Sequence, residues 1–134
     1  MTHFSHYPLQ QAVYELLSGD STLLTLVEAV YDRPPEGSAY PYVTLGESKI
    51  VDWSTKTTVG TEQHLKLHIW SRNGGRKEIA IIMERIYVLL HQASMSVTGH
   101  TLVLMRFVSS EIILENDGYT YQGAMVFRAL LESA

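Results

Sequence analysis

The sequence predicts an α+β domain on an antiparallel sheet: a long C-terminal hairpin, one main helix over about residues 76–92 packed on the sheet, and short N-terminal helices. Three patterns predict it. Residues 64–70 alternate, Leu65, Leu67 and Ile69 pointing one way and His64, Lys66, His68 and Trp70 the other, as in a half-buried strand. Ile79, Ile82, Met83, Ile86, Leu89 and Leu90 fall in one stripe of a repeat of about 3.6 residues. Asp117-Gly118, flanked by β-rich runs, is a pair favoured for a type I′ hairpin turn.

Taken in order, Pro8 suits the first turn of a helix near residues 8–18, whose apolar side is Leu9, Val13, Leu16 and Leu17 and which Gly19 stops. Asp20 or Ser21 can cap a second short helix through Leu23, Leu24, Leu26 and Val27. Arg33-Pro34-Pro35-Glu36-Gly37-Ser38 is a loop, because its prolines lack amide donors and bias their predecessors to extended backbone. Tyr42 to Leu45 reads as a strand. Residues 46–62 turn polar and threonine-rich, with Ile50, Val51 and Trp53 as isolated apolar side chains, and read as a long hairpin or arm. The last quarter is one hairpin in which Asn116 faces Tyr119, Val108 faces Phe127 and Phe107 faces Arg128. Its more apolar face holds Val108, Ile112, Leu114, Tyr121, Met125 and Phe127, yet the other still carries Met105, Phe107, Ile113, Val126 and Leu130.

Ile81 and Val88 lie on the back of the main helix, away from its core stripe. Spare apolar surface on both helix and sheet points to self-association, unless the N-terminal helices cover the second sheet face. A chain of 134 residues fits one domain, 1–134. Its formal charge of −4 is the wrong sign for tracking phosphate backbones, so specific nucleic-acid binding is not expected. The longest unbroken apolar run, Ile79 to Met83, falls far short of the roughly 20 residues a membrane-spanning helix needs.

No reactive centre is legible. Cysteine is absent, which excludes thiolate chemistry and disulfides. His64 and His68 sit on a strand, where an i, i+4 pair is roughly 13 Å apart and cannot share one ion. Asn73-Gly74-Gly75-Arg76-Lys77 lacks the spacing of a phosphate loop and suits a plain strand-to-helix turn. Asp32, Glu36, Glu111 and Glu115 form no evident catalytic pair, no Gly-x-Ser-x-Gly elbow is present, and no enzyme activity, cofactor or metal is expected.

Val30-Tyr31-Asp32, Pro35-Glu36-Gly37 and Tyr40-Pro41-Tyr42-Val43, then Gly46-Glu47 and Asp52-Trp53, occur in that order. Leu67-His68-Ile69-Trp70-Ser71-Arg72 and Gly75-Arg76-Lys77-Glu78 follow, and Leu102 to Phe107, Asp117-Gly118 and Phe127-Arg128-Ala129 close the series. This order resembles the tail-completion, or tail-terminator, proteins of long-tailed phages and gene transfer agents. Asn73-Gly74 lengthens the glycine turn relative to that pattern.

The resemblance implies a structural virion protein, made in the bacterial host cytoplasm, that forms a hexameric ring on the head-proximal end of the tail tube. Such a ring stops tail growth and meets the head connector, and DNA passes through its lumen. On that reading Ile81, Val88, Phe107 and Arg128 are expected near subunit boundaries, and Lys49, Trp53 and Lys56 on the arm against the tube or the lumen. The alternative is a head-completion or connector adaptor, or a tail-tube subunit.

Overall fold

Five strands form one sheet in the computed structural model, which describes residues 3–133. They are β1 (Ala29–Tyr31), β2 (Tyr42–Asp52), β3 (Gly60–Ser71), β4 (His100–Leu114) and β5 (Tyr121–Ser133). Their spatial order is β1-β2-β3-β5-β4. All neighbours are antiparallel except β1, which runs parallel to β2. The helices are α1 (His6–Ser18), α2 (Ser21–Leu26) and α3 (Lys77–Leu90).

The alternation expected for residues 64–70 holds: Leu65, Leu67 and Ile69 are buried, and the residues between them are half-buried. Against that buried side lie Leu9, Val13 and Leu17 of α1, Leu23 of α2, and Ile79, Ile82, Met83, Ile86 and Leu90 of α3. All three helices therefore pack on one face of the sheet. The alternative in which the N-terminal helices cover the second face does not hold: α1 and α2 join α3 in one apolar core on the same side of the sheet.

Asp20 is the cap of α2, its carboxylate accepting from the Leu23 amide at 2.7 Å. The polar arm is an ordered hairpin. Strand β2 continues through Asp52, which pairs with Thr61, so only residues 53–59 turn. Past Leu45 the register shifts, as Gly46 and Glu47 together oppose Lys66 in a bulge.

The C-terminal hairpin keeps the expected register only near its turn, where Leu114 pairs with Tyr121 and Ser110 with Met125. Two bulges then shift it. Phe107 faces Phe127, not Arg128, and Val108 is looped out and exposed, not paired with Phe127. A bulge needs no special residue type, and here it turns the larger ring inward: the Phe107 centroid lies 5.8 Å from Phe127 and 5.5 Å from Tyr87. The turn is also wider than two residues. Glu115 donates its amide to the Thr120 carbonyl, Gly118 closes onto Glu115, and of the turn residues only Gly118 has positive φ, at 80°. Asp117 thus lacks the left-handed backbone that a type I′ pair requires, and uses its carboxylate to hold the Tyr119 and Thr120 amides instead.

Candidate assembly surfaces

The uncovered face of the sheet is polar in its middle and aromatic at one end. Glu62 accepts from His64 at 2.7 Å and from Arg128 at 3.2 Å, bridging β3 to β5. His64 and then Arg128 hold the Glu62 carboxyl below its usual range. Gln122 donates to His68 Nδ1 at 2.7 Å, which leaves His68 Nε2 to donate to Glu47 at 3.0 Å. That bond is the largest reason the Glu47 carboxyl is held low. Arg128, expected near a subunit boundary, is half-buried and engaged within its own chain. His64 and His68 point to separate carboxylates, and no metal-binding cluster occurs among the described residues.

At the other end of this face, Tyr40, Tyr42 and Trp70 floor a cleft of about 530 Å³ between the proline loop and the β4–β5 turn. Trp70 Nε1 donates to Thr44, and the Arg72 guanidinium lies 4.3 Å from the Tyr40 ring centroid. Burial, with Tyr40 beside it, pushes the Tyr42 phenol up to about 12, so it stays neutral. Sequence reasoning missed this cleft. Its only local signal was the run of tyrosines at 31, 40 and 42 beside the prolines.

The remaining named residues separate into two groups. On the arm, Lys49 is exposed on β2 beside its partner His64, and Lys56 stands at the tip in the turn closed by Thr55 and Thr58. Trp53 is 39% exposed and folds back over Gly60, at which an added Cβ would come within 3.0 Å of the indole ring. On α3, Ile81 is 45% and Val88 65% exposed, as their helical phase predicts. Phe107 is half-buried in a groove between α3 and β4 that Met83, Tyr87 and Met125 also line. The structure does not bring the arm group and the α3 group together, since the arm leaves the far end of β2 and β3.

Strand β4 is a long edge of the sheet with exposed apolar side chains at Val103, Val108, Ile113 and Leu114. Edges of this kind are templates for another strand.

Comparison with known proteins gives these surfaces a context. Residues 11–132 match the family model described as tail completion protein gp17. The chain is 30% identical over 122 residues to the tail completion protein gp17 of Bacillus phage SPP1, covering 90% of this chain and 89% of that one. Among solved structures, it is similar to a chain in the virion of a native gene transfer agent particle. There the TM-score is 0.88 at 29% identity, covering 93% of this chain and 95% of the other. The structure of bacteriophage SPP1 gp17 aligns with TM-score 0.64 at 28% identity, over 90% of this chain and 86% of that one. A match from residue 11 to residue 132, taking in the latter part of α1, all of α2 and α3 and the five strands but for the last residue of β5, places this chain in the tail completion protein gp17 family.

Proposed function

We propose that copies of this chain close into a ring on the head-proximal end of a tail tube, stop its growth and present their other side to the head connector. The broader role follows from family membership: this is a structural component of a virion tail and not an enzyme. The observation that carries the finer reading is the 0.88 TM-score to a chain in an assembled gene transfer agent particle, over 93% of this sequence. A chain with that fold is part of the virion of a gene transfer agent particle.

In this reading the ring is hexameric, Ile81, Val88, Phe107 and Arg128 lie toward subunit boundaries, and Lys49, Trp53 and Lys56 reach the tube or the lumen. Contacts of one patch against a different patch, repeated through a closing rotation, produce such a ring. A net charge of −4 suits a conduit for DNA, because a mildly acidic wall does not hold the polyanion.

Electron microscopy of the purified protein mixed with tail tubes tests the proposal. Rings seated at one end of the tubes support it. Polymerisation into tubes identifies a tube subunit instead, binding to the portal before any tube identifies an adaptor, and a monomer that ignores tubes rejects the ring.

A further inference from the structure

We infer that the sheet runs on from one copy of this chain into the next, the outer edge of β4 in one subunit pairing antiparallel with the outer edge of β1 in its neighbour. This rests on the proposed ring and specifies its seam.

The outward-facing backbone of β4 divides into a stretch satisfied within the subunit and a stretch left open. The Phe107 amide and the Met105 carbonyl point away from β5, and His91 Nδ1 and the Gln92 amide take them up at 3.1 and 2.8 Å. Beyond the bulge after Phe107, strand alternation turns the backbone of Ser110, Ile112 and Leu114 outward, consistent with Glu115 bonding inward to Thr120. No backbone bond beyond those to β5 is made by these three residues. The stretch of edge nearest the turn is therefore open.

The other end of the sheet supplies the matching edge. Pairing runs in a single row from Val30 to Val43, Ile69, Gly123 and Ile112. Alternation carried along that row turns Val43 toward β1, where in a parallel ladder it bonds to the residues flanking Val30 and leaves the Val30 amide and carbonyl facing out. Since β1 is parallel to β2 and β4 is antiparallel to it, a neighbour shifted sideways along the sheet presents β1 to β4 in the antiparallel sense. Val30 then lies opposite Ile112, both with outward backbone and both with side chains on the helix face. Had the row been offset by one residue, either the hydrogen bonds or the side-chain faces would conflict.

Side chains agree with the backbone. Ala29, small, falls opposite Ile113, which is 44% exposed in the lone subunit. On the helix side, the groove of about 300 Å³ between α3 and β4 would be roofed by the neighbour's α1, whose exposed Tyr14 sits close to Asp32 at the end of β1. Strand addition beside a helix-walled groove is an established way to join chains, with main-chain bonds giving strength and the groove giving selectivity.

The chain has no cysteine, so an engineered pair reports cleanly. Within one subunit positions 29 and 113 are four strands apart, roughly 19 Å, while across the seam they form a non-hydrogen-bonded pair with Cα atoms about 4.5 Å apart, within disulfide reach. The Ala29→Cys/Ile113→Cys protein, assembled on tail tubes and oxidised, is expected to give a covalent ladder ending at the copy number of the ring. Ile112→Pro removes an amide used only across the seam and is expected to leave a folded subunit that forms no rings. If rings form but the cysteines stay free, or if Ile112→Pro still makes rings, the seam lies elsewhere and the ring proposal survives. If Ile112→Pro does not fold, the cysteine pair alone decides. If the wild-type protein makes no rings on tubes, the ring proposal itself fails, and the seam with it.

Discussion

Arg85 of α3 grips Asp20 ahead of α2 through two parallel hydrogen bonds, Nε to Oδ2 at 2.9 Å and Nη2 to Oδ1 at 2.7 Å. The same carboxylate caps α2 through the Leu23 amide. One side chain thus starts a helix of only six residues and ties it to the main helix. Replacing Asp20 with Ala is expected to lower stability by about 1–2 kcal/mol, the usual effect of losing a cap, with part of the loss from the stranded Arg85. Asp20→Asn keeps an acceptor for the Leu23 amide and is expected to lose less.

The Arg85 bonds also hold the Asp20 carboxyl below its ordinary 3.8. A depressed carboxylate contributes stability above its unfolded pKa, and that contribution drains away as pH falls below 3.8 toward the folded value. Urea melts of wild type and Asp20→Asn across that range check it: the gap between the two should narrow as the pH drops. A constant gap would show that the charge is irrelevant.

His100 gives a second pH response at a higher range. Its ring is buried at the start of β4, and Nε2 has no hydrogen-bond partner. Burial pushes its pKa below 6.5, so the folded chain resists a proton that the unfolded chain accepts. Stability is fully present above pH 6.5, falls as the solution is acidified below it, and levels off once the folded form also protonates. His100→Leu is expected to flatten thermal stability between neutral pH and pH 5. A wild-type melting temperature that does not move over that interval would refute the assignment.

Gly123 lies on β5 directly beneath Ile79 and Met83 of α3. A Cβ there would stand 2.6 Å from both Ile79 Cγ2 and Met83 Cε, so something must move. Gly123→Ala is expected to cost about 1–3 kcal/mol through overpacking, despite the higher strand propensity of alanine. Denaturant unfolding measures it.

Phe107 and Val108 test the bulge directly. Phe107 packs on Tyr87 and Phe127, whereas Val108 is 48% exposed. Phe107→Ala should therefore destabilise the subunit by about 2–4 kcal/mol, while Val108→Thr stays within about 0.5 kcal/mol. Alternation from an unbroken hairpin makes the opposite ranking.

That contrast marks how far the sequence could be read. Strand and helix periods are local, so the inward set on 64–70, the core stripe of α3 and the exposure of Ile81 and Val88 were all legible. Asp20 as a cap was legible for the same reason. The bulges were not, because any residue can occupy one and each reverses the faces beyond it. Nor was the parallel pairing of β1, three residues long, which depends on partners brought together only by the finished sheet. The aromatic cleft was hidden likewise: Tyr40, Tyr42, Trp70 and Arg72 meet across strands and loops.

Trp53 separates the role of the arm from the stability of the domain. Its ring covers Gly60 but remains 39% exposed, and its backbone amide bonds the Gly60 carbonyl at 2.8 Å whatever side chain it carries. Trp53→Ala should thus remove a partly solvated ring at the end of a hairpin and leave the core untouched, shifting the melting temperature by only a few degrees. An aromatic that exposed is a strong anchor once a partner desolvates it, and truncating such an anchor commonly costs 2 kcal/mol or more of binding, about thirtyfold. Pull-down of wild type and Trp53→Ala by immobilised tail tubes, beside Lys56→Glu as a charge control, compares the two effects. If Trp53→Ala binds tubes as the wild type does while folding normally, the arm is a structural extension of the sheet and the tube contact belongs to another surface. If it melts far lower, the Trp53 indole holds the domain together and the arm is not a separable docking element.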